Sequence, residues 1–567
     1  MEQLPDAKIS GAQYIARMLS CYGVSHVFYV EAMLRFASLD MEECGIRRMI
    51  VHSEKAAAYM ADGYARAGGR PGVCMAQSVG AANLAAGLQD ARLGCSPVIA
   101  LTGMKTPEYQ YRNSYQEIDH APLFTPVTKM HAEVSQADQL PVILRQAFRV
   151  SVSGKPGPVH VDMPNHTGRT IETAYLQAVP SADTEFVACP PLRPAADEQQ
   201  IKQAATLLGE ALRPVIVVGG GARRSGAGTE ILRLAEKMDI PIVSTPDGKG
   251  VIDEHDPHWG GIVGFYSMKC ANQIVGRADV VLYIGSQVSD QTTYNWTVPA
   301  AGTRVIQIDI EPTELGRNYS GTLGLCGDAR TVTEQLVAVC AVAERKDWLV
   351  EAREYVAAWD REQEEVSASN LTPIRTERLC REIQDILPDD ALLVADTGYS
   401  AIWASTMIRL RAGQDFIRAA GSLGWAYPAS LGAKCGAPER TVVCFTGDGA
   451  FYYHMAEMET AVRYGIRTIT VVNNNGAFSQ GIDEVKRVHR EAGSSRDPES
   501  MYRFSPVNLA KVAEEFGVTG IRVEDPGRIG EALKRALDMP GPVVVEVVTS
   551  TESRAPVAWK PQRDTSC

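Results

Sequence analysis

The sequence predicts an α/β protein of three units, each a parallel sheet flanked by helices. Two observations carry this. Short β-branched runs alternate with longer amphipathic stretches along nearly the whole chain, the mark of strand–helix–strand crossovers. Two segments then break that rhythm: a Pro-, Ala- and acid-rich stretch from about Thr170 to Pro194, which reads as a linker, and the charged "ERKDWLVEAREYVAAWDREQEEVSASN". At ~150 residues per domain, 567 residues suit such a division. The expected units are 1–180, 195–345 and 370–567.

In the first unit "RRMIVHSE" reads as a strand leading into the Ala-rich helix "KAAAYMADGYARAGG", which glycine stops. The strand "PGVCMAQS", the helix "GAANLAAGLQDARLG" and the strand "PVIALTG" follow. The second unit carries "RPVIVVGGG", "IPIVSTP", "ADVVLYIGS" and "TRVIQIDIEP", and the third "ALLVADTG", "TVVCFTGDG", "TITVVNNN" and "GPVVVEVVTS". An internal echo links "RPGVCMAQSVG" at Arg70 with "RTVVCFTGDG" at Arg440: each is an arginine, a strand and a small-residue turn opening a helix. It is compatible with two related units flanking a third.

The totals exclude several classes. Hydrophobic residues make up 45% and charged residues 22%, as in an ordinary globular protein. A formal charge of −12 with no basic stripe speaks against a nucleic-acid partner. No apolar run approaches the ~18 residues of a membrane span, and "MEQLPDAKIS" is no signal peptide, so a cytoplasmic protein without a membrane partner is expected. No two of the 12 cysteines have Cys-x-x-Cys spacing, and Cys74 and Cys444 lie inside apolar strands; buried reduced thiols are expected.

The chemistry concentrates in "GDGAFYYHMAEMETAVRYGIRTITVVNNN". A buried strand ends at Thr446, and Gly447 and Gly449 allow a tight turn whose amides a phosphate can approach. A helix with Met455, Met458 and Val462 on one face then runs to Gly465. The next strand delivers Asn475, 27 residues after Asp448, to the same sheet edge. An acid and an amide oxygen facing a phosphate site suit Mg²⁺, a hard ion that combines few protein oxygens with phosphate and water. The bland alternative is that Asp448 caps the helix and the asparagines form a turn.

GDG followed at this distance by NN resembles the diphosphate- and metal-binding motif of thiamine-diphosphate enzymes. The resemblance implies Mg²⁺ bound by Asp448, the Asn475 side chain and the Ala477 carbonyl, with cofactor contacts from Gly447, Gly449, Ala450 and Phe478. It extends over nearly the whole chain, in the order pyrimidine-binding, central and diphosphate-binding domain. Glu54, in "MIVHSEKAAAYMADGYA", matches the glutamate set against the aminopyrimidine ring, where a carboxylate shifts the ring to its imino form. Leu423, in "AAGSLGWAYPASLGAK", matches the bulky side chain beneath the bent cofactor, and Gly398, Tyr399 and Ser400 the loop that helps hold the diphosphate. "SYQEIDHAPLFTPVTK" is similar to an acetolactate-synthase segment and puts Gln116 near the reaction centre.

The implied activity is that of a thiamine-diphosphate- and Mg²⁺-dependent lyase or carboligase. It would decarboxylate a pyruvate-like 2-oxo acid and pass the remaining unit to a second carbonyl. The site would be shared between chains of a homodimer or homotetramer. Departures keep alternatives open. Ala32 and Met33 stand where the family has a glycine pair, and "GAFSQGIDEVKRVHREAG" is unlike the aromatic-rich segment of acetohydroxyacid synthases. A 2-hydroxyacyl-CoA lyase or oxalyl-CoA decarboxylase, a flavin-dependent 2-oxo acid oxidase and a catalytically weak cofactor-binding subunit are the other readings. FAD, ADP or nothing could fill the central unit. FAD is not favoured, because Arg224 replaces the third glycine of Gly-x-Gly-x-x-Gly and Gln291 stands where flavin-containing synthases have arginine.

Overall fold

The computed structural model of the chain describes residues 8–561. Its aliphatic and β-branched runs form three six-stranded sheets in which every strand pairing is parallel. The first sheet contains β1 (His26–Tyr29), β2 (Arg47–Ile50), β3 (Gly72–Gln77), β4 (Val98–Met104), β5 (Met130–Glu133) and β6 (Val159–Pro164), in the order β2-β1-β3-β4-β6-β5. The central sheet contains β7 (Pro214–Val218), β8 (Ile242–Ser244), β9 (Trp259–Ile262), β10 (Val280–Ile284), β11 (Arg304–Asp309) and β12 (Leu323–Cys326), ordered β9-β8-β7-β10-β11-β12. The third contains β13 (Leu392–Ala395), β14 (Asp415–Arg418), β15 (Val442–Gly447), β16 (Ile469–Asn474), β17 (Thr519–Val523) and β18 (Val543–Val548), ordered β14-β13-β15-β16-β18-β17.

The first and third sheets thus share one strand order, and the Arg70 and Arg440 echo falls on their corresponding third strands, β3 and β15. The central sheet has the order of dinucleotide-binding folds. In each sheet the order reverses beside the first strand, and ligands collect at the carboxyl ends there. These points are β1/β3, β7/β10 and β13/β15.

Two helices join the outer units. α1 (Glu54–Gly68) is buried along most of its length, which explains its run of alanines. α2 (Gly80–Leu93) lies beside it, and α3 (Lys346–Ser367) leads from the central unit to the third. α4 (Tyr399–Met407) follows β13, and α5 (Ala426–Gly436) packs on α1 at backbone distance. A Cβ on Gly432 would lie 1.9 Å from the Met60 carbonyl oxygen, and one on Gly63 would lie 2.0 Å from that of Ala429. One apolar core consequently runs from the first unit into the third through Ala57, Met60, Trp425 and Ala429.

Two segments differ from expectation. The stretch read as a linker folds back: Leu176 pairs with Ile9, and Leu176 and Phe186 enter a second apolar core, internal to the first unit, with Leu19 and Phe148. The helix expected after the GDG turn is split into α6 (Asp448–Phe451) and α7 (Glu457–Tyr464). Between them the amides of Tyr453 and His454 bond three residues back, to Ala450 and Phe451, which tightens the coil. Met458 faces the core as expected, whereas Val462 is exposed.

Candidate functional site

The carboxyl edge of the third sheet brings together most of the residues singled out by sequence. β15 ends in Gly447, and Asp448 opens α6 with only 2% of its surface exposed. Burial pushes its carboxyl up to about 7, although the amides of Asp448, Gly449, Asn475 and Gly476 oppose the shift. Its Oδ2 is buried without a hydrogen-bond partner among the described residues. A carboxylate oxygen stranded in this way is costly unless a cation meets it.

The three asparagines divide their work. Asn473 Oδ1 accepts from the Thr549 hydroxyl at 2.6 Å, and Asn474 Nδ2 donates to Glu546 Oε1 at 2.6 Å, so both are spent on the sheet. Asn475 sits on the loop beside Asp448, where, among the described residues, its Oδ1 accepts only from the Ala477 amide, at 3.2 Å. The Ala477 carbonyl accepts a long bond of 3.4 Å from the Ser479 hydroxyl and keeps oxygen capacity. Asp448, Asn475 and Ala477 form an all-oxygen donor set that fits Mg²⁺. Phe478 closes over the turn: a Cβ on Gly449 would lie 2.6 Å from its ring.

Across the β13/β15 switch point, Gly398 takes φ 66°, ψ −141° and starts α4 through Tyr399 and Ser400. This is a glycine conformation. The Ser400 hydroxyl would lie 3.6 Å from a Cβ on Gly447, so the amino end of α4 faces the GDG turn. Asp396, fully buried, is pushed up to about 6 by burial against the amides it accepts from. Those amides are Thr397 at 2.9 Å, Gly424 at 3.0 Å and Ala426 at 2.9 Å. It thereby holds the loop bearing Leu423, which is half-buried rather than part of the core.

Glu54 and Gln116 belong to the first unit and make their contacts there. The Glu54 carboxylate accepts from Asn83 Nδ2 at 3.2 Å and rests on Gly80, where a Cβ would lie 2.5 Å from Oε1. Gln116 stands at φ 59° in an irregular segment, and its carbonyl accepts from the Ser78 hydroxyl. Behind them runs a buried polar chain. His120 donates from Nδ1 to Asp162 Oδ2 at 2.8 Å and from Nε2 to the Ser78 carbonyl at 2.9 Å. Thr102 donates to Asp162 Oδ1 at 2.7 Å and faces His160 Nε2, while His160 Nδ1 meets His131 Nδ1 at 2.8 Å. Both ring nitrogens of His120 face acceptors, an arrangement that favours the imidazolium. Burial opposes that charge, but the hydrogen bond and charge of Asp162 outweigh it and raise the pKa. His120, His160 and Asp162 have the composition of a metal site, but each ligand atom is already engaged in this chain.

Family profiles match along the sequence in the order of the three sheets: "Thiamine pyrophosphate enzyme, N-terminal TPP binding domain" at residues 9–123, "central domain" at 201–336 and "C-terminal TPP binding domain" at 396–547. A probable acetolactate synthase large subunit of Methanocaldococcus jannaschii is 31% identical over 97% of this chain and 93% of its own length. The chain belongs to the thiamine pyrophosphate enzyme family. Within it the likeness is to the acetolactate synthase branch. An acetolactate synthase of Arthrospira platensis is 31% identical over 97% of the chain and 96% of its own length. The acetolactate synthase large subunit of Haemophilus influenzae is 28% identical, over 96% and 95%.

This thiamine pyrophosphate enzyme also has a cavity of about 400 Å³ at the central switch point. Gly220 and Gly221 after β7 and Gly285 after β10 line it, with Arg224 and Asp309. Arg224 does not open a Gly-x-Gly-x-x-Gly turn; it reaches across to donate to the Gly94 carbonyl. Gln291 accepts at 2.7 Å from Arg418 Nη2. A guanidinium therefore does reach this wall, from the end of β14 rather than from position 291. Of the two residues replacing the glycine pair, Met33 turns into the core beside Leu34, leaving only Ala32 at the strand end.

Sequence reading missed Asp90, Asp162, His120 and Arg418. A single acid among the alanines and glycines of "GAANLAAGLQDARLG" was the available signal for Asp90; the others had none. Among the described residues no helix is long and apolar enough to cross a membrane.

Proposed function

We propose that the chain is a thiamine-diphosphate- and Mg²⁺-dependent carboligase of the acetolactate synthase type. It decarboxylates a pyruvate-like 2-oxo acid and joins the remaining unit to a second carbonyl. The buried Oδ2 of Asp448, without a partner among the described residues, beside the weakly engaged oxygens of Asn475 and Ala477, carries the reading. These groups would hold Mg²⁺, while Gly398, Tyr399 and Ser400 with the Gly447, Gly449 and Ala450 turn would hold the diphosphate. Leu423 would lie beneath the cofactor and Phe478 beside it. Bound thiamine diphosphate supplies an electron sink for the carbon–carbon bonds broken and made. Glu54, seated on Gly80 and oriented by Asn83, would hold a proton at the aminopyrimidine ring. Gln116 would place an amide beside the substrate.

The unit bounds 1–180, 195–345 and 370–567 are read as pyrimidine-binding, central and diphosphate-binding domains. The site is read as shared between chains of a homodimer or homotetramer in the cytoplasm, Glu54 of one facing Asp448 of another. That relatives are named large subunits supports testing for a small companion subunit. The central cavity supports a nucleotide ligand; if it is a flavin, the purified protein will be yellow.

Stripping the protein of metal and cofactor and following pyruvate consumption tests the reading. Consumption restored only by thiamine diphosphate and Mg²⁺ together is expected, and consumption independent of both would refute it. Glu54→Ala and Asp448→Ala proteins, each inactive, should regain activity when refolded as a mixture. No recovery would refute the shared site.

A further inference from the structure

We infer that Asp90, a residue of the first unit, is the positioning residue that sets Leu423 of the third. The inference rests on the reading of Leu423 as the side chain beneath the cofactor. Asp90 lies on α2 and is fully buried. Its Oδ1 accepts from the Ala420 amide at 2.9 Å, and its Oδ2 accepts from the amides of Gly421 at 3.1 Å and Ser422 at 2.9 Å. Three consecutive amides converge on one carboxylate, the arrangement of an anion-binding backbone nest turned onto the protein's own side chain. Leu423 follows immediately, and the amides beyond it, Gly424 and Ala426, are held by Asp396. Leu423 stands between two carboxylate-anchored segments, one anchored from another domain.

The anchor is itself fixed. Arg66 Nη2 lies 3.2 Å from Asp90 Oδ1, and Arg66 binds Asp62 through both Nε and Nη2 at 2.7 Å. Arg66 Nη1 donates to the Arg418 carbonyl at 2.7 Å, and Trp425 Nε1 donates to Asp62 Oδ2 at 2.8 Å. One buried cluster of two carboxylates and a guanidinium thus grips the chain at Arg418, at Ala420 to Ser422 and at Trp425. Burying three charges is a poor means of gaining stability, since well-packed apolar side chains of the same volume do as well or better. What the cluster supplies is geometry: directional bonds fix a loop that a greasy contact would let slide. The first unit thereby sets the height of Leu423 beneath the cofactor.

Binding of thiamine diphosphate to the apoprotein at saturating Mg²⁺, measured by titration calorimetry, tests this with Asp90→Asn, Leu423→Ala and the double variant. Asp90→Asn leaves Arg66 paired with Asp62, and a urea unfolding midpoint checks that each variant folds. If Asp90 acts through Leu423, each single change weakens binding about tenfold and the double variant is no weaker than either alone. Additive losses, about a hundredfold in the double variant, would show a separate structural role and overturn the proposal. Normal binding by Asp90→Asn with impaired Leu423→Ala would overturn the proposal alone. Normal binding by Leu423→Ala would overturn the reading of Leu423 and the proposal with it. Should Asp90→Asn not fold, Gly421→Pro, which deletes one of the three amides at an exposed residue, replaces it with the same expected outcomes. Gln89→Ala, which removes only the 3.3 Å bond to the Ser422 hydroxyl, serves as the control and is expected to bind normally; binding as weak as that of Asp90→Asn would overturn the proposal.

Discussion

Replacing Asp448 by asparagine should stabilise the apoprotein while destroying its cofactor site. The Asp448 carboxyl is carried from its ordinary 3.8 to about 7, chiefly by burial. A displacement of that size makes the buried anion about 4 kcal/mol less favourable than a solvated one. The sign follows from linkage: the folded state holds the proton more tightly than the unfolded chain, so stability is lost as pH rises from about 4 through 7. Asparagine carries no charge to bury, but its NH₂ cannot accept from the surrounding amides, which offsets part of the gain. At pH 8 the metal-free Asp448→Asn protein should therefore be more stable than wild type by about 2 kcal/mol, with the order reversed near pH 4, where wild type buries no charge at this position. Urea unfolding of both apoproteins across that range gives the stability. Calorimetric titration with Mg²⁺ and thiamine diphosphate gives the binding, which should fall at least about a hundredfold. Equal or lower stability of the variant at pH 8, or binding close to wild type, would refute the reasoning.

Other outcomes are equally open to test. Glu54→Gln should lower turnover at least about a hundredfold while leaving cofactor affinity nearly unchanged in calorimetry, since the proton held by the carboxyl is lost but its volume is not. Gly432→Ala forces a methyl to within 1.9 Å of the Met60 carbonyl, so α1 and α5 must part. Thermal unfolding should show a loss of about 1–3 kcal/mol despite the better helix propensity of alanine. His120 has a folded pKa above its ordinary 6.5, so its charged form stabilises the fold below that pH and the contribution fades as pH rises through the folded value. Wild-type unfolding midpoints should therefore decline above pH 7 more steeply than those of His120→Gln.

What could be read from the sequence was local. Glycines at strand ends, a 27-residue interval from Asp448 to Asn475 and the period of the apolar residues reveal three sheets and one edge that gathers an acid, an amide and glycine turns. The Arg70 and Arg440 echo pointed to the strand order that the outer sheets share. Residues that act across the fold left little trace. Asp90 meets its amides 330 residues downstream, and Arg418 meets Gln291 across 127 residues, so neither partnership has a spacing to recognise. Asp162 meets Thr102 only because β6 lies next to β4, and His120 joins the pair from the irregular segment between β4 and β5. The split between α6 and α7 has no sequence signal, since no glycine or proline falls between them and the flanking Tyr452 and Ala456 keep helical backbone angles. Only the hydrogen bonds shift from four residues back to three.

The most direct measurement is product identity. Purified protein is incubated with thiamine diphosphate, Mg²⁺ and carbon-labelled pyruvate without added oxidant, and carbon dioxide and acetolactate are followed together. One carbon dioxide and one acetolactate for every two pyruvates consumed is the predicted result. Pyruvate left intact by protein with bound cofactor, or converted without forming a new carbon–carbon bond, would contradict it.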